Sequence, residues 1–396
     1  MGSVLQDLIV VDLTDALWSS LGAAFLGDFG ARVIRLDPAS ARGNGSAAPG
    51  GWNHEFELAN RNKQSLAVDL DSRGGREVVH GLVGKADVFV TDRPLDFLKE
   101  KACDYAALSA LKPDLIYARG SGFGPKGPDR DLPALDELAA ARTGVMPTLP
   151  QPHQPPVYAG SGQMYTTVML AFGILTALHH RAHTGEGQEV DVSLLGGNMY
   201  GASLDLQAYL AIGGEKFLRP VSRYDVGNPM SGTLYMTSDD RWVTLTMPDT
   251  DRWWPGFSEI VGLNRDDPRF DSHEKRCEQN RLELIGELEE AFRRQPAEHW
   301  RAEFNERQLS ADVIEEYAYP TADEQVYRNR YILDVDDASL GPLKMLGFPI
   351  LLKDSPARLR SRAPTRGQHS AQVLHELLGY SEDRIVELQA QGVVGG

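Results

Sequence analysis

Cysteine is almost missing from this 396-residue chain: Cys103 and Cys277 stand far apart and outside any CxxC pairing. Two isolated thiols argue against a disulfide framework or a zinc site, and they fit a reducing, cytoplasmic setting. Long apolar runs are missing too. No stretch approaches the roughly 20 apolar residues of a membrane span, and residues 1–6 lack the basic-then-apolar pattern of a secretory leader. Positive charge is in deficit, with 40 Lys and Arg against 56 Asp and Glu, a formal net charge of −16. Non-specific nucleic-acid binding needs a positive footprint, so that function class is set aside. A local cluster of Arg and Lys can still hold an anionic ligand, and the overall charge serves solubility. His179, His180 and His183 have no Cys or carboxylate partners at ligand spacing, so no metal site is expected. What is present is ordinary for a globular chain with a large core: 42% hydrophobic and 24% charged residues, in a length that suits two or three domains.

Strand-like and helix-like patterns alternate through the first half. Leu8-Ile9-Val10-Val11-Asp12-Leu13 reads as a buried strand. A helical stretch around Ala23-Ala24-Phe25-Leu26 stops near Gly30, a helix-terminating glycine. Strands are expected at 32–37, 66–70, 87–90 and 114–117, with helices at 76–82 and 105–111 between them. This alternation predicts an α/β fold with a mainly parallel sheet. The first strand–helix unit lacks GxGxxG, so a nicotinamide dinucleotide site is unsupported. After Leu210 a Gly-, Pro- and Asn-rich loop leads to a hairpin pattern around Asp239-Asp240 and then to charged helical segments, a smaller α+β domain. The expected organisation is a large Rossmann-like domain at 1–215, a small domain at 216–325 and a segment at 326–396 that returns to the first. Met164, Val168, Phe172 and Leu175 have i, i+4 apolar spacing and are expected in the core.

The stretch Asn60-Arg61-Asn62-Lys63-Gln64-Ser65-Leu66-Ala67-Val68-Asp69-Leu70 resembles the NRxKxSLxLDL signature of class III CoA-transferases of the CaiB/BaiF type. That family includes formyl-CoA transferases and is related to the α-methylacyl-CoA racemases. Further similar stretches follow in colinear order: 30–37, 112–117 with Gly122-Phe123-Gly124, 173–178 with 184–191, and Ala363-Pro364 with Gly367-Gln368-His369. The resemblance covers essentially the whole chain. It implies a Rossmann-like large domain plus a small α+β domain, two such rings interlocked in a dimer, no tightly bound cofactor, and a coenzyme A thioester as substrate or ligand.

The resemblance also implies a chemistry. An aspartate attacks the acyl-CoA, and the mixed anhydride is converted to an aspartyl-CoA thioester from which the acceptor acid takes CoA. That aspartate lies ten residues before the first Gly of the motif that reads Gly173-Ile174-Leu175-Thr176-Ala177-Leu178 here. The position is Gln163, whose neutral carboxamide forms neither intermediate. The position of a family glutamine that contacts the reacting group resembles Leu17, a common Gly-Pro pair is Ser19-Ser20, and the racemase acid–base pair falls on Leu135 and Gln163. Asp136 and Glu137 are the nearest carboxylates in the corresponding region. Arg42, Arg61 and Lys63 are candidate CoA-binding residues. Three readings follow: a catalytically silent subunit paired with an aspartate-bearing homologue, a divergent acyl-CoA isomerase, hydratase or lyase active by itself, and a non-enzymatic acyl-CoA-binding homodimer.

Overall fold

The computed structural model describes residues 2–39, 53–214, 218–337 and 341–395. The chain forms two compact units: residues 1–146, 158–213 and 325–396 make the larger, and 147–157 with 214–324 make the smaller. Arg42 lies outside the described residues.

In the larger unit the elements run β1 (Ile9–Leu13), α1 (Leu17–Asp28), β2 (Arg32–Pro38), α2 (His54–Asn60), β3 (Lys63–Val68), α3 (Arg73–Val83), β4 (Val88–Thr91), α4 (Leu95–Glu100), α5 (Tyr105–Leu111), β5 (Ile116–Ser121), α6 (Asp136–Ala140), α7 (Gly162–Thr184), β6 (Gln188–Ser193), α8 (Leu194–Gly201) and α9 (Ser203–Ile212). Adjacent residues of each strand face opposite sides, so two cores form. Val11, Ile34, Leu66, Phe89 and Tyr117 pack under α3 and α5. Val10, Val33, Val88, Ile116 and Ala118 pack under α1 and α7. The turn after α1 needs a positive φ, which Gly30 supplies at +112°.

The smaller unit contains β7 (Ser231–Met236), β8 (Trp242–Thr246), α10 (Thr250–Val261), α11 (Arg281–Phe292), α12 (Ala297–Glu306) and β9 (Ala311–Val313). Its antiparallel sheet has the order β7-β8-β9, and the expected hairpin turns at Asp239-Asp240. Its core is aromatic, built on Tyr235, Trp254, Phe257, Phe292 and Trp300.

The chain crosses back through α13 (Glu324–Arg328), the hairpin β10 (Ile332–Asp337) and β11 (Gly341–Leu346), then α14 (Ser370–Leu378), α15 (Glu382–Ala390) and β12 (Val394–Gly395). The large sheet has the order β12-β3-β2-β1-β4-β5-β6, parallel throughout except for β12, which pairs antiparallel with β3. Strand order therefore reverses between β1 and β4.

One expectation fails. Val168, Phe172 and Leu175 are exposed, Phe172 at 70%, although their spacing suited a core. The stripe that packs is Thr166, Thr167, Leu170, Ala171, Ile174 and Ala177. Helix α7 is apolar on both sides, so periodicity could not tell which side the sheet takes. The apolar helix α9 has no buried residue, and Leu204 stands 87% exposed.

Candidate active site

In open α/β sheets the crevice beyond the carboxyl ends of the strands, at the reversal of strand order, is where ligands sit. Here β1 ends at Leu13 and β4 at Thr91, and Asp92 bridges the reversal. Its carboxylate accepts from the backbone N–H of Asp15 at 2.9 Å and of Ala16 at 2.7 Å, and from Ser19 Oγ at 2.5 Å, at the amino end of α1. Burial pushes its pKa up to about 6, against the pull of these donors.

Beyond β4 and β5 lies a cavity of about 420 Å³ lined by Asp92, Arg93, Arg119, Ser121 and Arg130, among others. Arg93 pairs with Asp15 and lies over the Phe97 ring, centroid 4.5 Å away. Arg119 is 8% exposed and reaches Asp191 at 3.4 Å. Burial raises the Asp191 carboxyl to about 6, with Arg119 opposing. The Nε–H groups of both arginines are buried without an acceptor among the described residues. Orphan buried donors beside a cavity mark a place for an anionic ligand or ordered water. A neighbouring cavity of about 220 Å³ opens at the ends of β1, β2 and β3, with Leu36, Leu70, Phe97 and Lys101 in its wall.

The wall of the first cavity continues through Pro133 and Ala134 into α6. There Asp136 is 9% exposed, and its carboxylate accepts from Asn198 Nδ2 and from the Tyr158 hydroxyl, each at 2.7 Å. Burial, and then the bond to Asp136, push the Tyr158 phenol up to about 12, so it stays protonated and donates. Asn198 lies against Gly162, where a methyl group would collide with its amide. Asp136 is thus one side chain away from the first turn of α7. Gln163 occupies that turn, half-buried. No side chain caps α7, and its first turn has no acidic residue. Glu137 is exposed.

The signature stretch is held inside the fold. Arg61 is 1% exposed and forks onto Asp28 at 3.1 and 2.8 Å, with further bonds to the carbonyls of Leu346 and Gly347. Lys63 Nζ donates to Asp12 at 2.7 Å, Ser20 O at 2.7 Å, Ser20 Oγ at 2.8 Å and Asn60 Oδ1 at 3.2 Å. Burial lowers its pKa to about 8 against the pull of Asp12, so it is cationic at neutral pH. Two of the three candidate CoA-binding residues, Arg61 and Lys63, therefore have protein partners. The Ser19-Ser20 pair has a role of its own, since its hydroxyls serve the buried charges of Asp92 and Lys63.

Sequence reading missed Asp92, Arg93, Arg119 and Asn198. Asp92-Arg93 stands immediately after the strand at 88–91, a position that would have drawn notice once the strand order was known. Arg119 and Asn198 carry no local signal. Among the described residues no group of three His, Cys, Asp or Glu side chains could hold a metal, and no helix is long and apolar enough to cross a membrane.

The fold is a doubly wound α/β sheet with arginine-lined cavities at the carboxyl ends of its strands. The chain belongs to CoA-transferase family III, whose match runs over residues 5–370. It is 30% identical over 408 residues to the (R)-2-hydroxy-4-methylpentanoate CoA-transferase of Clostridioides difficile, covering 99% of each chain. It is 27% identical over 403 residues to the succinyl-CoA–L-malate CoA-transferase beta subunit of Chloroflexus aurantiacus, covering 98% of each. The crystal structure of a CaiB/BaiF family protein from Brucella suis superposes with a TM-score of 0.82 at 26% identity, over 95% of this chain and 100% of that one.

Proposed function

We propose that this chain is a subunit of a class III CoA-transferase that lacks its own carboxylate nucleophile and supports an aspartate-bearing homologue. That homologue transfers CoA between an acyl-CoA and a carboxylic acid. The observation that carries this reading is Gln163 in the uncapped first turn of α7. The free N–H groups and dipole of a helix start hold a carboxylate ionised and ready to attack. A carboxamide in that place offers donors for an anion and cannot form an acyl anhydride. Arg93 and Arg119 then meet the phosphates of a CoA thioester, which comes and goes as substrate. The uncovered apolar sides of α7 and α9 suit a homologous subunit, and the Chloroflexus relative is itself named as a subunit.

Co-expression with an aspartate-bearing homologue, and CoA-transfer assays on each chain and on the pair, test this. The pair should turn over, and Gln163→Ala in this chain should leave the rate nearly unchanged. Removal of the aspartate of the partner subunit should abolish it. A loss of more than about tenfold from Gln163→Ala, roughly 1.4 kcal/mol of transition-state stabilisation, sinks the reading.

One observation favours a second reading. Asp136 brings a buried carboxylate beside Gly162 from a different helix, which suits an acyl-CoA isomerase, hydratase or lyase acting alone. Turnover by the isolated chain that Asp136→Asn abolishes would establish it. Tight CoA binding without turnover would instead point to a binding homodimer.

A further inference from the structure

The amino-terminal edge of the large sheet, opposite the cavities described above, also carries a groove. It measures about 550 Å³ and runs between the starts of β2 and β3 and the returning segment, with Arg32, Gln64, Arg360, Ser361, His369 and Glu376 in its walls. The segment is fastened there by Asn62. Asn62 Nδ2 donates to the Arg358 carbonyl at 2.8 Å, and its Oδ1 accepts from the N–H of Arg360 at 2.6 Å and of Ser361 at 3.1 Å.

The charges in this groove do not cancel. Arg32 is satisfied by Gln64 at 2.7 Å and Glu376 at 2.6 Å. The Lys63 ammonium is turned away onto Asp12. Asp28, the carboxylate whose charge acts on Arg360, is held by the fork of Arg61. Arg360, an exposed side chain in the wall of the groove, donates Nη2 to the Ala31 carbonyl at 3.2 Å, and its Nε–H and Nη1–H groups have no acceptor among the described residues. His369 accepts the Ser65 N–H on Nδ1 at 3.2 Å, which puts the proton of the neutral ring on Nε2 as a further donor. Free donors from the returning segment thus sit beside a groove whose one exposed carboxylate, Glu376, is taken.

We propose that this groove is a binding site for a small oxyanion, a phosphate or carboxylate group, held by Arg360 and His369. A bound oxyanion bridges the returning segment to the amino end of the sheet. The site is independent of the thioester cavities and of whether this chain is catalytic.

Inorganic phosphate and acetate, each titrated separately into the full-length protein against chloride at matched ionic strength, test the proposal through melting temperature and hydrogen exchange of residues 358–369. One of the two anions should raise the melting temperature and slow exchange in that segment at millimolar concentration, and which one does so tells phosphate from carboxylate. Arg360→Gln should weaken the apparent affinity at least tenfold, while Arg358→Gln, at a position outside the groove lining, and Arg119→Gln should not. An effect that survives Arg360→Gln, one that disappears with Arg119→Gln, or no effect beyond that of chloride would overturn it.

Discussion

Asp28 and Arg61 show how a residue can be conspicuous in sequence and still be misread. The signature stretch marks Arg61 and Lys63, but their partners stand 33 and 51 residues away, on α1 and β1. Nothing local in sequence announces a long-range fork. The pair is 1% and 3% exposed, so removing one member leaves the other buried and unpaired. Asp28→Asn should cost about 3–5 kcal/mol in urea unfolding, whereas the joint Asp28→Leu, Arg61→Met replacement should cost much less. Asp92 sets a pH dependence of opposite sign to that of most carboxylates. Its folded pKa of about 6 lies above the unfolded value of about 3.9, so the folded state binds its proton more tightly. The stability this group contributes is full below pH 4 and is lost as pH rises through 6. Unfolding free energies across pH 4–7 for the wild type and Asp92→Asn check it: the wild type should fall relative to the variant as pH rises, and parallel profiles would refute the shift.

Elements with a strong period were legible. The first five strands fall within a few residues of the apolar runs, and α5 spans the expected 105–111 because it has an unbroken helical pattern. The β10–β11 hairpin and the two-residue β12 were not read, since short segments with few apolar residues carry little periodic signal. The packing of α7 on α8 could not be read at all, because it rests on glycines meeting side chains across the interface. A methyl on Gly197 would collide with Thr166 Oγ1, whereas one on Gly286, in α11, meets nothing within 4 Å. Gly197→Ala should therefore destabilise by about 1–3 kcal/mol, and Gly286→Ala should stabilise by about 0.4–1 kcal/mol. Chemical denaturation of both variants measures the contrast. Equal effects would mean the α7–α8 contact relaxes freely.

The fold class and the family were legible for the whole molecule, because alternating strands and helices and five colinear motifs survive scattered substitution. Gln163 and Asp136 could be named from the sequence as candidates, whereas Asp92, Arg93 and Arg119, whose placement depends on strand order, could not. The uncovered side of α7 and all of α9 bear on assembly. Phe172→Asp and Leu204→Asp, at positions 70% and 87% exposed, leave the core of a single chain untouched. They should lower the sedimentation mass at micromolar concentration and abolish any rise of melting temperature with protein concentration. Unchanged mass in both variants would remove these helices from the interface.

The return of residues 325–396 to the larger unit has a consequence for synthesis. On the ribosome the strands β1–β6 emerge first, yet β3 remains an open edge, and Arg61 and Asn62 lack the carbonyls and amides they will hold, until the last part of the chain has appeared. Most of the smaller unit, which has a core of its own, is translated in between. The nascent chain therefore carries an unfinished sheet through most of the translation of a second folding body. This is the interval in which an exposed strand edge invites mispairing and a chaperone has most to protect.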